Sequence, residues 1–391
     1  QVGSRLKSFR PGSPRGRSMP AMGAWSRLSV LAGQATAAAS GVDEPVAAAP
    51  ASEQFRVAVW FNGGGEQRAA EGLRAISAEL GVEVLVVSPL CGVLFPQFNP
   101  DLSAKAAAKL STEERLQGEA ELRKVCGTCD AWLGWPQSSW DRVAELIGGW
   151  PSRLQWIQTY SAGTDQLMAV VPSRISVTRA EGKFDDSISE WVLTWIMMHS
   201  KKVPRFFESQ RERRWEIQFR GIFRVSGSHV LIVGYGSIGK RAAQLCKAVG
   251  MHVLGTRRSV EGVIDDGIAE VHPNTELHTL LPGADFVVVC APLTAETRGS
   301  FGGAELAAMK PGAALINIAR GEIVDWGAIC SALRQGSLAA YYTDVTTPEP
   351  LPNGHPDWDV PNLHVTPHNT WAPHPDMVDD GRRFGENLRR F

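Results

Sequence analysis

The sequence predicts an α/β protein with a doubly wound parallel sheet, and three neighbouring observations carry that prediction. Val230-Leu-Ile-Val233 is a short apolar run of the kind that forms a strand buried on both faces. It leads into Gly234-x-Gly236-x-x-Gly239 and a helical pattern from Lys240 to Val249. A second apolar run, His252 to Thr256, follows. Strand, glycine turn, helix and strand make a βαβ unit whose first turn sets a pyrophosphate on a helix N-terminus. A GxGxxG alone is weak evidence, but in this context it predicts a dinucleotide site. Gly234, Gly236, Ser237, Ile238 and Gly239 are the expected cofactor contacts.

The whole chain sets bounds on that site. A length of 391 residues suggests two or three domains with ample chain for a core. Lys+Arg 40 against Asp+Glu 41 gives no bulk electrostatic reason to expect nucleic acid or an anionic membrane as partner. No apolar run reaches the roughly 18–20 residues needed to span a bilayer. Six scattered cysteines are too few for a disulfide scaffold in so long a chain and suit a reducing compartment.

Residues 1–53 do not read as a folded domain. No acidic residue precedes Asp43, while Arg5, Lys7, Arg10, Arg15, Arg17 and Arg27 supply positive charge among Ser, Ala, Gly and Pro. That composition describes an organellar transit peptide, of plastid or mitochondrion, with a disordered extension of a cytoplasmic protein as the other reading. Order is expected from Phe55–Phe61, a strand, then a turn at Asn62–Gly65, a helix over Glu66–Leu80 and a strand at Val82–Val87. Cys126-Gly-Thr-Cys129 has no second CxxC or histidine pair nearby to complete a metal site, so no metal is expected. Structural thiols and a redox-sensitive pair both remain open for it. Strands follow at Leu154–Gln158 and Ile175–Thr178, with a small-residue loop, Thr159-Tyr-Ser-Ala-Gly-Thr-Asp165, between them. A long helical pattern from Asp185 to about Glu208 then joins this N-terminal α/β region to the dinucleotide unit. The Arg211–Trp215 cluster reads as a solvated turn.

Past the glycine turn the alternation continues. Strands are expected at Ala284–Cys290, Ala314–Ile318, Ala339–Asp344 and Asn362–Val365. They end at Ala291-Pro292, Ala319-Arg320, Asp344 through Pro350, and Thr366-Pro-His368. In a parallel sheet all those ends lie on the cofactor edge, so Ala291, Pro292, Ala319 and Asp344 join the expected cofactor contacts. Arg320, Glu349 and His368 converge there too. Arginine forks onto a carboxylate, histidine exchanges protons near neutrality, and a neighbouring carboxylate favours the charged imidazole. Beside a nicotinamide, Arg320 would anchor a substrate carboxylate, His368 would protonate a carbonyl oxygen, and Glu349 would orient the imidazole.

Several blocks resemble the signatures of the D-isomer-specific 2-hydroxyacid dehydrogenase family. They are Gly-Tyr-Gly-Ser-Ile-Gly239, Asn317-Ile-Ala-Arg-Gly-Glu-Ile-Val-Asp325, Asp344-Val-Thr-Thr-Pro-Glu-Pro-Leu-Pro352 and Thr366-Pro-His368. Ser161-Ala-Gly-Thr-Asp165, Ile188-Ser-Glu190 and Pro292-Leu-Thr-x-Glu-Thr-Arg298 add to the match, which covers roughly residues 54–391. The resemblance implies two Rossmann-like domains with the active site in the cleft between them. It implies a substrate domain from 54–165 and 366–391, and a dinucleotide domain over 166–365. It gives Arg320, Glu349 and His368 the catalytic roles, Ala162 and Gly163 the backbone contacts to the substrate carboxylate, and implies a homodimer.

NAD-specific members usually carry an acidic residue after the second strand of the unit; here that place holds Arg257, followed by Arg258 and Ser259. Arginine pairs with a 2′-phosphate that a carboxylate would repel, so NADP is the preferred cofactor, with NAD as the alternative. The analogy favours glyoxylate or hydroxypyruvate as substrate, resembling the glyoxylate/hydroxypyruvate reductase branch. Trp60, Tyr160 and Trp371 read either as substrate-pocket residues or as core. A nicotinamide-sensing binding protein on the same scaffold, without turnover, is the reading from another functional class.

Overall fold

The computed structural model describes residues 54–60, 66–88, 91, 108–135, 140–180, 182–215, 221–371 and 377–391. The expected targeting segment and the Asn62–Gly65 turn lie outside the described residues. The first sheet is wholly parallel, in the order β2-β1-β3-β4-β5. Its strands are β1 (Arg56–Val59), β2 (Glu83–Val86), β3 (Ala131–Leu133), β4 (Trp156–Gln158) and β5 (Ser176–Thr178). Helices α1 (Glu66–Leu80), α2 (Thr112–Thr128), α3 (Trp140–Ile147) and the single turn α4 (Asp165–Met168) connect them. Because β5 pairs with β4, this sheet runs to Thr178, past the domain boundary drawn at Asp165. After α4 the chain comes back to add one more strand before it leaves.

Side chains alternate across this sheet with the period of two that a buried strand imposes. Val57, Val59, Ala131, Leu133 and Trp156 pack on one face, and Ala58, Trp132 and Ile157 on the other. The first face is closed by α1 and by the chain's last helix. Phe384 of that helix stacks on Trp156 with ring centroids 4.3 Å apart. Trp60 belongs to the opposite core, 5.4 Å from Trp132, and is a packing residue. Cys126 and Cys129 are buried free thiols at the C-terminal end of α2. Burial, with the charge of Asp130 second, pushes Cys129 up to about 12. Burial also pushes Cys126 well above its usual range. Thiols so far from their thiolate form suit packing rather than exchange chemistry.

The expected long helix is two. α5 (Asp185–Ser200) stops at Lys201, Lys202 adopts φ 54°, and α6 (Val203–Arg211) restarts with Pro204 in its first turn. Proline suits a helix start and not an interior, so Pro204 is the sequence signal for the break. Arg211–Trp215 is solvent-exposed, as a solvated turn should be. No helix among the described residues is long and apolar enough to cross a membrane.

The second sheet has the order β13-β12-β11-β10-β6-β7-β9-β8, parallel except at the β8–β9 pair. It is entered in the middle, at β6 (His229–Val233), followed by α7 (Ser237–Ala248) and β7 (His252–Arg257). The hairpin β8 (Ile264–Asp265) and β9 (Glu270–Pro273) extends that side. After α8 (Leu277–Leu280) the chain returns to β10 (Phe286–Val289) on the other side of β6. Then come α9 (Gly303–Ala308), β11 (Ala314–Asn317), α10 (Trp326–Gln335), β12 (Ala340–Thr343) and β13 (Leu363–Val365). The last helix, α11 (Met377–Leu388), lies back on the first sheet. The strand order reverses between β6 and β10, and a doubly wound sheet opens its ligand crevice at that point.

Candidate active site

The glycine turn sits at the switch point and has the close approaches that demand glycine. Gly234 has φ 101°, and a Cβ there would lie 2.5 Å from the Ala291 amide nitrogen at the end of β10. At Gly239 a Cβ would meet the Gly234 carbonyl oxygen at 2.4 Å. Gly236 differs: a Cβ there would have nothing within 4 Å, so its backbone opens onto free space at the start of α7. That open backbone beside a twelve-residue helix, with Ser237 and Ile238 in its first turn, fits a dinucleotide pyrophosphate. The turn is braced from both sides. Ser189 of α5 donates to the Ile238 carbonyl (3.3 Å), and the buried Tyr235 hydroxyl donates to Asp266 (3.1 Å). Asp266 also pairs with Lys240 Nζ at 2.8 Å. Burial works against its charge, but the Lys240 bond and the amides of Ala269 and Ile268 outweigh it and hold Asp266 well below the usual carboxylate range. Arg257 ends β7, and Arg257, Arg258 and Ser259 are all exposed at the cofactor edge.

The strand ends on the far side of β6 deliver the expected polar groups to one place. At the end of β11, Asn317 is fully buried and clamps the next turn. Its Oδ1 accepts from Ala319 N (3.0 Å) and its Nδ2 donates to Arg320 O (3.0 Å). Arg320 Nη1 donates to the Ala319 carbonyl at 2.8 Å, and its Nε donates to Asp165 Oδ1 at 3.1 Å. Arg320 therefore reaches from the second sheet to the small-residue loop of the first. Thr159 Oγ1 donates to Ser161 O and Ser161 Oγ to Gly163 O, which shape that loop. Gly163 lies directly under the guanidinium, where a Cβ would fall 1.6 Å from Nη2. Gly163 is thus beside Arg320, and Ala162 precedes it in the same loop.

His368 Nδ1 and Glu349 Oε1 are 2.6 Å apart, and Glu349 Oε2 accepts from Thr346 N at 3.2 Å. Burial alone would raise the Glu349 carboxyl. The His368 hydrogen bond and charge, the Thr346 amide and the Arg320 charge reverse that, so its pKa is lowered and it stays ionised. The His368 side chain is 41% exposed, so the imidazole is within reach of solvent or a ligand. A histidine with one nitrogen fixed on a carboxylate and the other free can deliver a proton.

His368 is held in the left-handed region, φ 50°, by groups that the sequence did not assign to that task. Asp344, expected among the cofactor contacts, is buried, and its oxygens accept from Thr366 Oγ1 (2.6 Å), Asn369 N (3.1 Å), Thr370 N (3.0 Å) and Thr370 Oγ1 (2.7 Å). Its structural work is the His368 turn. Trp371 Nε1 donates to the His368 carbonyl at 2.9 Å, and Ser187 Oγ donates to Thr370 O at 2.6 Å. Trp371 is 43% exposed, while Tyr160 is buried. Of the three aromatic candidates, Trp371 alone combines contact with the His368 turn and an open face. An aspartate four donors deep is a tertiary fact; its only sequence trace is a polar residue just past a buried strand.

The comparisons agree with this geometry. The D-isomer specific 2-hydroxyacid dehydrogenase NAD binding domain matches residues 193–370. A glycerate dehydrogenase of Methylorubrum extorquens is 30% identical over 248 residues, 61% of this chain and 76% of the relative. A glyoxylate reductase of Aeropyrum pernix is 30% identical over 262 residues, 64% of this chain and 77% of the relative. Among solved structures, a D-isomer specific 2-hydroxyacid dehydrogenase family protein of Aeromonas salmonicida superposes with TM-score 0.65 at 28% identity, covering 87% of this chain and 96% of the other. A D-isomer specific 2-hydroxyacid dehydrogenase of Xanthobacter autotrophicus, in complex with NADPH and MES, gives TM-score 0.65 at 26% identity, covering 86% and 95%. The switch-point glycine turn, the paired sheets and these likenesses converge, and the chain belongs to the D-isomer specific 2-hydroxyacid dehydrogenase family as a nicotinamide-dinucleotide-linked enzyme.

Proposed function

We propose that the protein is an NADP-preferring reductase that converts small 2-keto acids, glyoxylate or hydroxypyruvate in the first instance, to D-2-hydroxy acids. The observation that carries this reading is the 2.6 Å Glu349–His368 pair beside Arg320, on the edge that holds the glycine turn. The first sheet with α11 takes the substrate side and the second sheet the dinucleotide. Bound between them, the nicotinamide supplies the hydride for the keto carbon. Arg320 holds the substrate carboxylate together with the Ala162 and Gly163 backbone. His368 gives the proton on Nε2 to the keto oxygen as it gains charge, and Glu349 on Nδ1 stabilises the imidazolium before that transfer. Gly234, Gly236, Ser237, Ile238, Gly239, Ala291, Pro292 and Ala319 line the dinucleotide, and Arg257, Arg258 and Ser259 receive the 2′-phosphate. The NADPH in the Xanthobacter relative supports that cofactor choice.

The decisive experiment is a keto-acid panel run with NADPH and NADH. Higher kcat/KM with NADPH on glyoxylate or hydroxypyruvate is expected. His368→Ala should lower kcat by about 10²–10⁴-fold and leave NADPH affinity intact. Cofactor binding without turnover on any keto acid would favour the sensing alternative, and equal use of NADH would remove the NADP preference. The apolar side chains exposed along and just after α5 and α6, Met197, Phe206, Phe207, Trp215 and Ile222, support a homodimer, which light scattering measures directly. Residues 1–53 are proposed as an organellar address, tested by fusing them to a fluorescent reporter.

A further inference from the structure

Arg320 has an acceptor on each of its nitrogens. Nε donates to Asp165 Oδ1 at 3.1 Å, Nη2 stands 3.0 Å from the same oxygen, and Nη1 donates to the Ala319 carbonyl. The Nε/Nη2 edge is therefore gripped by a carboxylate, as it would be by a bound acid. Gly163 keeps the guanidinium against the loop, and the Arg320 and Asp165 side chains are only 24% and 20% exposed, so solvent screens the pair weakly. Two negative groups meet this one cation, because the Arg320 charge also helps to keep Glu349 ionised. An incoming carboxylate adds a third.

We propose that Asp165 is a resident carboxylate that competes for the substrate-carboxylate position on Arg320 and is exchanged for the substrate's own. Asp165 acts through Arg320 as a positioning residue: it presets the guanidinium and sets a threshold that an incoming anion must exceed. A 2-keto acid passes it because its carboxylate brings a keto oxygen that reaches His368 in the same step. A simple monocarboxylate offers no second contact and loses to Asp165. The pair thereby selects for 2-keto acids over ordinary carboxylates. The inference rests on Arg320 being the carboxylate anchor.

The test uses Asp165→Asn, which keeps shape and removes charge, with Asp165→Ala as a second variant and Arg320→Ala as the control on the anchor. Oxamate, an inert keto-acid analogue, and acetate are titrated by calorimetry into the full chain saturated with NADPH. Both Asp165 variants should bind oxamate about tenfold more tightly, gain measurable acetate binding, and lower the keto-acid KM by a larger factor than any change in kcat. Arg320→Ala should abolish oxamate binding. Unchanged or weaker oxamate binding in Asp165 variants that still melt cooperatively and bind NADPH would overturn the exchange. Retained oxamate binding in Arg320→Ala would instead overturn the anchor reading beneath it.

Discussion

Gly163 leaves no room for a side chain, since an added Cβ would lie 1.6 Å from Arg320 Nη2. The atom it meets is the far end of a flexible side chain, so the backbone need not move. Gly163→Ala should therefore leave the melting temperature within about 2 °C, because the clash relaxes outside the core. The guanidinium, however, must swing off its position, and misplacement by about 1 Å can cost on the order of a hundredfold in rate. A rise in keto-acid KM of at least about tenfold, measured by steady-state kinetics, is the expected outcome. At this scale the candidate site was partly written in the chain. Arg320 and Glu349 follow buried strands and His368 a half-buried one, and parallel strands end together. Asp165 also closes a loop after a buried strand, but its pairing with Arg320 was not legible, because its partner lies 155 residues away and only the folded chain brings the two into contact.

The strands were legible element by element because each is a short apolar run between polar or glycine-rich segments. The structure trims most of them by a residue or two at the ends. The β8–β9 hairpin was not legible: two exposed residues, Ile264 and Asp265, make no hydrophobic pattern. The turn after β13 is the element on which chemistry depends. Asp344→Asn leaves only one accepting oxygen where four donors now converge, so at least one buried N–H loses its partner. A stability loss of about 1–3 kcal/mol is expected, read from denaturant unfolding. Turnover should fall about a hundredfold as His368 drifts from its place, with NADPH affinity nearly unchanged in a binding titration.

Across α5 and β13, His364 stacks on Tyr342 and packs at a tilt against Trp195, and His199 Nδ1 bonds the Tyr342 hydroxyl at 3.0 Å. Burial pushes both histidines down to about 4, with the Lys202 charge adding to the effect at His199. Both are thus neutral when folded, while the unfolded chain takes up protons near its ordinary value of about 6.5. Between those limits the unfolded state binds more protons, so stability is fully present above about pH 6.5 and is lost as pH falls toward 4. Each histidine contributes up to about 3 kcal/mol to that slope. His364→Phe, which keeps a ring in the stack, should flatten the fall in melting temperature across that window. An unchanged profile would mean that the buried imidazoles do not govern acid stability.

For the whole molecule, the α/β architecture and the switch-point cofactor edge followed from the chain's alternation, and the two sheets have the paired form expected from its signature blocks. The place where the chain leaves its first sheet did not follow, because β5 is only three residues long and carries one exposed side chain. Helix α11 approaches α1 so closely that a Cβ on Gly381 would fall 1.7 Å from the Ala69 carbonyl oxygen. Its Phe384 completes the stack on Trp156, and Lys183 Nζ pairs with its Asp380 at 2.5 Å in a buried site. That contact has a consequence for synthesis. Roughly 200 residues separate the end of β5 from α11, so at about 5–20 residues per second the finished first sheet waits about 10–40 s on the ribosome with one apolar face covered by α1 alone. The second sheet is contiguous in the chain and can close as soon as it emerges. The half made first is therefore finished last, and the half-covered face of the first sheet is where a nascent chain of this protein needs a chaperone.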